Sequence, residues 1–375
     1  MFSAFADRQH GFRSRGCYAV CSSAMTKSHT WSDYGDTNFI TGMRAYAALA
    51  VVLIHMGGGG LRSLGDIGNR IADMGGAGVY AFFVISGFSV ASALHSGPTY
   101  GAYLARRMAR IAPLYYFWLA VAAAISIEKP SLYNLAMHLS FLSVVDYKIT
   151  NSIIGVEWSI PIEVFWYLLL PFLLKPMFEK RWGIPVAVVV SFFLYKASRV
   201  IPEYMPMPPG EAFLAMHWSP LPYVFSYCLG AAAFRIRPIL APLASNLVIW
   251  LTLVLFTLYC VSSRFAAYSR ASEFFAVTVF TFALICLGSA KNVIYQRLFT
   301  TKTCMLLGTI SYGIYLCHIP ISGLLNRLGF EPADATLKLL LVATLSVFAS
   351  LATYRIIERP FQRLGKKLEI SFGST

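Results

Sequence analysis

Long apolar segments recur along the whole chain and constrain its fold more than any other feature. Most are about 17 residues or longer, the length that an α-helix needs to cross a bilayer. Only 13% of the residues are charged, against about a quarter in soluble globular proteins. The chain is therefore predicted to be an all-α, polytopic integral membrane protein with about ten transmembrane helices. The predicted spans are about 38–58, 75–95, 110–127, 160–177, 183–200, 219–235, 244–262, 270–289, 304–325 and 336–357.

Charge and cysteine content exclude two other classes of protein. The formal net charge is +14, but the cations are scattered through short loops, so no nucleic-acid partner is predicted. The seven cysteines are odd in number and lie mostly in apolar segments. They therefore indicate neither a metal site nor a disulfide framework.

Lysine and arginine are more numerous in the loops on one side of the predicted spans, and this asymmetry sets the orientation. Because the richer side is cytoplasmic, both termini are predicted to face the cytoplasm. Residues 1–36 are expected to form a disordered cytoplasmic tail, 37–364 the membrane domain, and 365–375 a cytoplasmic C-terminal tail. The apolar stretch 131–145 is short and is predicted to be a re-entrant or interfacial helix in a long loop.

The first span carries a cation and an imidazole inside an otherwise apolar segment. Arg44 and His55 are eleven residues apart. In a helix this spacing places both side chains on one face, rotated by only about 20° and separated by about 16 Å along the axis. Arg44 is predicted at the cytoplasmic end of the span and His55 in its outer third.

Further polar side chains are predicted at the depth of His55. Glu163 lies near the start of the fourth span, just inside the outer boundary. Tyr312, Tyr315 and His318 recur every three residues on one broad face of the ninth span, and His318 reaches the same outer half as His55. Ionisable groups inside spans are by default functional. A histidine with a carboxylate nearby suits general-base activation of a hydroxyl.

Guanidinium groups gather at the opposite, cytoplasmic depth. Arg107 and Arg110 are predicted to lie at the same boundary as Arg44. Arginine forms bidentate, charge-assisted hydrogen bonds with phosphate, so these residues suit a phosphate-bearing ligand. The separation by depth predicts that a phosphorylated donor from the cytoplasm meets an acceptor on the outer side.

Structural explanations compete with these functional ones. Arg107 and Arg110 also fit the role of anchors at the cytoplasmic boundary, and His318 that of a buried histidine bonded to a neighbouring helix. Glu157 is interpreted as an ordinary loop carboxylate. Glu358 and Arg359 are interpreted as an ion pair at the end of a helix, which Pro360 terminates. A different functional hypothesis is a proton-coupled transporter that uses intramembrane His and Glu as a relay.

Six stretches, taken in order, resemble the acyltransferase-3 family of membrane acyltransferases. This family includes O-acetylases of bacterial surface polysaccharides and nodulation factors, and macrolide acyltransferases. The resemblance runs from about residue 38 to residue 364. The matching stretches are TGMRAYAALAVVLIH (41–55), GVYAFFVISGFSV (78–90), RRMARIAPLYY (106–116), WSIPIEVFWYLLLP (158–171), SYGIYLCHIP (311–320) and IERPF (357–361). The chain departs from the family pattern where acids are common, at Thr41, Tyr80 and Val164, which indicates a divergent subgroup.

The resemblance implies an activity and an assignment of residues. It implies an O-acyltransferase of the bacterial inner membrane, surrounded by lipid, that moves an acyl group from acetyl-CoA or another acyl-CoA to a hydroxyl of a carbohydrate or glycolipid. No metal is expected. His55 would be the general base or a transient acyl carrier, and Glu163 would orient His55 or the acceptor. Arg44, Arg107 and Arg110 would bind the donor. Candidate oxyanion or acceptor contacts are Ser159, Tyr312, Tyr315 and His318.

Overall fold

The computed structural model describes residues 37–206, 208–261, 270–289 and 291–373, and within these ranges the fold is helical without a strand. The tail predicted over 1–36 lies outside the described residues. The helices are α1 (Asn38–His55), α2 (Asp66–Asp73), α3 (Gly78–His95), α4 (Tyr100–Ile125), α5 (Leu132–Leu139), α6 (Ser159–Glu179), α7 (Gly183–Tyr204), α8 (Pro209–Trp218), α9 (Val224–Leu240), α10 (Asn246–Val261), α11 (Arg270–Leu287), α12 (Val293–Phe299), α13 (Lys302–Thr309), α14 (Ser311–Arg327), α15 (Ala335–Thr353) and α16 (Arg359–Gly373).

Helices occupy every segment predicted to cross the membrane. Seven stretches of helix in the described part of the chain are long and apolar enough to span a bilayer. An eighth is reached if α13 and α14, which meet at a bend of 67°, count as one broken span. Two shorter apolar helices, Asn246–Val261 and Phe274–Leu287, fall on the predicted spans 244–262 and 270–289. The prediction of a helical, multi-pass membrane protein is confirmed.

Apolar side chains cover much of the outer surface of the helix bundle. Phe193 of α7 is 64% exposed, Leu255 of α10 is 66% exposed and Phe348 of α15 is 66% exposed. In water such exposure would cost free energy in proportion to the apolar area, whereas hydrocarbon is a good solvent for these groups. These faces are therefore the lipid-contacting ones.

Helices α3 and α9 pack with their backbones in close approach because glycines face each other's chain. A methyl group on Gly87 would lie 2.2 Å from the carbonyl oxygen of Tyr227. One on Gly230 would lie 2.0 Å from the carbonyl oxygen of Val84. Small residues permit such close helix packing in membrane proteins. Helix α3 of this pair lines both of the cavities described below.

Helix α1 packs against α3, α13 and α14, and its two ionisable side chains of interest, Arg44 and His55, contact Ser89 of α3 and His318 of α14. Its N-terminal half is held by two close approaches of the backbone. A methyl group on Gly42 would lie 1.8 Å from the carbonyl oxygen of Phe299, and one on Gly308 1.8 Å from that of Thr41. The α1 backbone beside Arg44 is therefore held against α12 and α13.

Two connections differ from a simple loop or tail. The stretch 131–145 contains α5 and a 3₁₀ turn at Ser143–Val145, in agreement with the predicted loop helix. At the other end, α15 passes through a π turn at Tyr354–Glu358 and continues as α16. Pro360 does not end the helix, because the wider π turn leaves room for a proline without an N–H. Helix α16 runs from Arg359 past residue 364 to Gly373.

Candidate active site

The three arginines predicted to bind a donor line one cavity. This inner cavity, of about 70 Å³, is bounded by α1, α3, α4, α6 and α14. Its polar lining residues are Arg44, Ser86, Arg107, Arg110, Ser159, Glu163, Tyr167, Ser311, Tyr312 and Tyr315. The structure thus brings together side chains from five of the six stretches that carried the family resemblance.

Ser89 of α3 anchors two of the guanidinium groups. Arg44 Nη2 donates to Ser89 Oγ at 3.1 Å, and Arg107 Nη2 donates to the carbonyl oxygen of Ser89 at 2.6 Å. The guanidinium of Arg107 also lies over the rings of Tyr103 and Tyr167, 5.5 and 5.2 Å from their centroids. Arg107 is only 7% exposed. Arg107 is therefore buried, and its guanidinium is oriented by the Ser89 carbonyl and the two tyrosine rings.

Glu163 belongs to this arginine-lined cavity. Its Oε1 accepts hydrogen bonds from Ser86 Oγ at 2.7 Å and from Tyr167 OH at 2.5 Å. Arg44 is among its electrostatic neighbours. Among the described residues no hydrogen bond joins Glu163 to His55, although the sequence placed the two at one depth.

The segment that precedes Glu163 in the chain is buried. Ile154 and Val156 are each 1% exposed and Glu157 is fully buried. Other parts of the protein therefore already enclose the chain before α6 begins at Ser159.

His55 lines a second cavity. This outer cavity, of about 420 Å³, adjoins the first, and Val79 and Tyr315 line both. The imidazole of His55 is exposed to it. The remaining lining residues are Val51, Ile54, Asp73, Gly76, Tyr80, Asn151, Gly155, Trp158, His217, Trp218 and Tyr223. The Arg44/His55 pair on α1 therefore contributes one side chain to each cavity.

His318 lies directly behind His55. Its Nε2 is 3.1 Å from His55 Nδ1, and the two ring centroids are 5.1 Å apart. His318 Nδ1 is 3.1 Å from the carbonyl oxygen of Ile314, and His55 Nδ1 is 2.9 Å from that of Val51. His318 is fully buried. It is a buried histidine bonded to a neighbouring helix, and its partner is the histidine that faces the outer cavity.

The hydroxyl groups predicted to stabilise an oxyanion have other partners in this structure. Tyr312 OH donates to the carbonyl oxygen of Ile111 at 3.0 Å, and Tyr315 OH donates to that of Val156 at 2.5 Å. Ser159 Oγ is 2.8 Å from Tyr315 OH, whose proton is already used, so Ser159 is the donor there. Each of these protons would have to change partner to reach an oxyanion.

Glu157 is not an ordinary loop carboxylate. It is fully buried and accepts hydrogen bonds from the backbone N–H groups of Ile153, Ile154 and Gly155, at 2.6, 3.0 and 2.6 Å. His138 Nε2, also fully buried, is 3.4 Å from Glu157 Oε1. The sequence interpretation was wrong because loop position does not reveal that three successive N–H groups converge on one carboxylate. Glu157 fixes the loop that supplies Asn151 and Gly155 to the outer cavity.

Within the described ranges, no group of three His, Cys, Asp or Glu side chains is arranged to hold a metal ion. The arginine-lined inner cavity is the place where a phosphate-bearing ligand would find charge-assisted donors.

Comparison with known families decides the assignment. A family described as "Acyltransferase domain" matches residues 37–355, which is most of the described chain. The chain belongs to the acyltransferase-3 family. It is an acyltransferase, and the resemblance carried by the six stretches is confirmed.

Two relatives illustrate the range of this acyltransferase family. ORF330 of Acidianus two-tailed virus, whose name provisionally calls it an acetyltransferase, is 26% identical over 308 residues, or 77% of this chain and 84% of the viral protein. The O-acetyltransferase OatA of Staphylococcus aureus is 22% identical over 360 residues, or 88% of this chain. The match covers only 57% of the length of OatA. No solved structure matches the chain.

Proposed function

We propose that this acyltransferase moves an acetyl group from acetyl-CoA on the cytoplasmic side of the bacterial inner membrane to a hydroxyl of an envelope carbohydrate or glycolipid. The observation that carries the proposal is the pair of adjoining cavities. One is lined by guanidinium groups and the other by His55, and Val79 and Tyr315 are common to both. A donor held by its phosphates and an acceptor held outside could meet at this shared wall.

The donor's phosphates would be bound by Arg44, Arg107 and Arg110. Arg44 and Arg107 each use an Nη2 on Ser89, which leaves further N–H groups of each guanidinium for a ligand. Glu163 supplies a negative charge that partly compensates the three cations in the absence of a ligand. We assign Glu163 to donor binding and arginine orientation because its hydrogen-bond partners lie in the inner cavity.

His55 would act as the general base. Its ring takes the proton of the acceptor hydroxyl as the oxygen attacks the thioester carbonyl carbon. The C–S bond then breaks, the new ester C–O bond remains, and the protonated ring returns the proton to the departing thiolate of coenzyme A. This sequence needs no covalent acyl-histidine. If labelled acetyl were trapped covalently on His55 in the absence of an acceptor, His55 would be an acyl carrier instead of a general base.

The outer cavity has the lining expected of a carbohydrate site. Aromatic rings of Tyr80, Trp158, Trp218 and Tyr223 provide flat apolar surfaces with polar edges, against which the C–H face of a sugar ring can stack. Asn151 adds amide donors and acceptors for hydroxyl groups. A few polar groups on a largely apolar wall is the usual composition of a small-molecule site.

The proposal is tested with protein reconstituted in proteoliposomes, labelled acetyl-CoA, and an envelope carbohydrate fraction as the acceptor. Wild-type protein should form an alkali-labile acetyl ester on the carbohydrate only when acetyl-CoA is on the cytoplasmic side. His55→Ala should remove this activity while the protein still accumulates, since loss of a general base costs roughly 100-fold or more. His95→Ala, an exposed histidine at the end of α3, is the matched control and should remain active. Full activity of His55→Ala would refute the assignment.

A further inference from the structure

We infer that His318 is a positioning residue for the transfer reaction. It accepts a hydrogen bond from His55 Nδ1–H and so directs the unprotonated Nε2 of His55 toward the acceptor. This inference rests on the proposed function of His55 as the general base. It adds a residue, on a helix distant in sequence, that together with the Val51 carbonyl accepts from His55 Nδ1–H and so leaves Nε2 as the basic nitrogen of His55.

The hydrogen-bond geometry determines the tautomer of each ring. A carbonyl oxygen can only accept, so His318 Nδ1, 3.1 Å from the Ile314 oxygen, carries a proton. In a neutral His318 the Nε2 atom is then an acceptor. His55 Nδ1 faces this acceptor at 3.1 Å and the Val51 carbonyl oxygen at 2.9 Å. Both partners accept, so His55 Nδ1 must carry the proton and Nε2 must hold the lone pair.

Burial separates the roles of the two rings. His318 is fully buried, whereas His55 is exposed to the outer cavity. His318 therefore has no access to substrate and acts only through His55. The ring of Tyr315, 6.3 Å away between centroids, packs beside His318, and its hydroxyl is already used on Val156.

The same contact stabilises the charged ring formed during turnover. When His55 Nε2 takes the hydroxyl proton, the ring becomes an imidazolium and its Nδ1–H becomes a stronger donor. That N–H is shared by the Val51 carbonyl and His318 Nε2. The proton leaves again from His55 Nε2 to the thiolate of coenzyme A, so His318 gains and loses no proton over the cycle.

Two substitutions of His318 separate hydrogen bonding from packing. In His318→Gln the amide oxygen can take the place of Nε2 as an acceptor, whereas His318→Leu fills the space without an acceptor. His318→Leu should lower kcat roughly 10- to 100-fold, the effect of losing a hydrogen bond to a group that becomes charged, with the KM for acetyl-CoA unchanged. His318→Gln should recover most of the lost kcat. Cys317→Ala, on the same turn with its thiol toward Ser350, is the matched control and should remain active.

A spectroscopic measurement accompanies the kinetics. The ¹⁵N shifts of His55 in the wild-type protein, assigned by comparison with His55→Ala, should show a protonated Nδ1 and a bare Nε2. The opposite tautomer would overturn the inference. So would equal kcat values for His318→Leu and wild type, or equal losses in His318→Leu and His318→Gln when both accumulate normally. An inactive wild type, or an active His55→Ala, would instead refute the proposed function itself.

Discussion

The Glu157→Gln substitution gives a sharp test of how the loop before α6 supports the outer cavity. The carboxylate accepts three backbone N–H bonds, two on Oε1 and one on Oε2. A glutamine has only one accepting oxygen, so its NH₂ group must face at least one buried N–H of Ile153, Ile154 or Gly155. The substitution therefore removes one charge-assisted hydrogen bond and weakens the others. It also places the NH₂ donor of the glutamine against a backbone N–H donor.

The magnitude follows from these bonds. A hydrogen bond to a charged group contributes about 1.5 to 3 kcal/mol, and a buried donor without a partner costs about 1 to 3 kcal/mol. Some relaxation of the loop offsets part of the sum. We expect Glu157→Gln to lower the free energy of unfolding by about 2 to 4 kcal/mol. The KM for the carbohydrate acceptor should rise, because Asn151 donates to the carbonyl oxygen of Gly155 and both line the outer cavity.

The assay compares thermal unfolding in detergent with transfer kinetics in proteoliposomes. Glu128→Gln is the matched control, since this glutamate lies in the connection between α4 and α5 and is exposed. The control should unfold at the wild-type temperature and show wild-type KM values. The reasoning would be refuted if Glu157→Gln also matched wild type in both measurements. A raised KM for acetyl-CoA with an unchanged acceptor KM would contradict the link between this loop and the outer cavity.

Three further substitutions test the packing and the donor cavity. Gly230→Ala places a methyl group 2.0 Å from the Val84 carbonyl oxygen and should destabilise the protein by about 1 to 3 kcal/mol in thermal unfolding. Gly323 has open space around it, so Gly323→Ala should be neutral or stabilise the protein by up to about 1 kcal/mol in the same assay. Arg107→Lys keeps the charge but loses the planar set of donors, so the KM for acetyl-CoA should rise roughly tenfold or more; an unchanged KM would exclude Arg107 from donor binding. Glu163→Gln should change the KM for acetyl-CoA by roughly threefold or more and leave the KM for the acceptor unchanged. A change in the KM for the acceptor alone would instead assign Glu163 to the outer cavity.

The helical spans were predictable because a bilayer imposes one length and one composition on each of them. The shared face of Arg44 and His55 was predictable for a similar reason, since eleven residues return nearly to the same angle in any α-helix. These are properties of a single helix and need no knowledge of its neighbours. The gathering of Arg44, Arg107 and Arg110 also followed, because positive charge at one boundary places them in one layer.

Contacts between helices were not predictable from these periodicities. Ser89 and His318 owe their importance to partners on other helices, and the His55–His318 bond joins positions 263 residues apart. A single sequence carries no signal for such a pair beyond the presence of two histidines at similar depth. The local hydrogen bonds of Glu157 were missed for another reason, because they depend on backbone angles in a loop.

Glu163 shows how the two failures are connected. The sequence predicts it at the depth of His55, whereas its carboxylate accepts hydrogen bonds from Ser86 and Tyr167 in the cavity lined by the three arginines. The loop before α6 is buried, and three of its backbone N–H groups donate to the carboxylate of Glu157. Position along one span therefore does not reveal which side chains of other helices a residue meets, because those contacts depend on how the helices and the buried loop pack together.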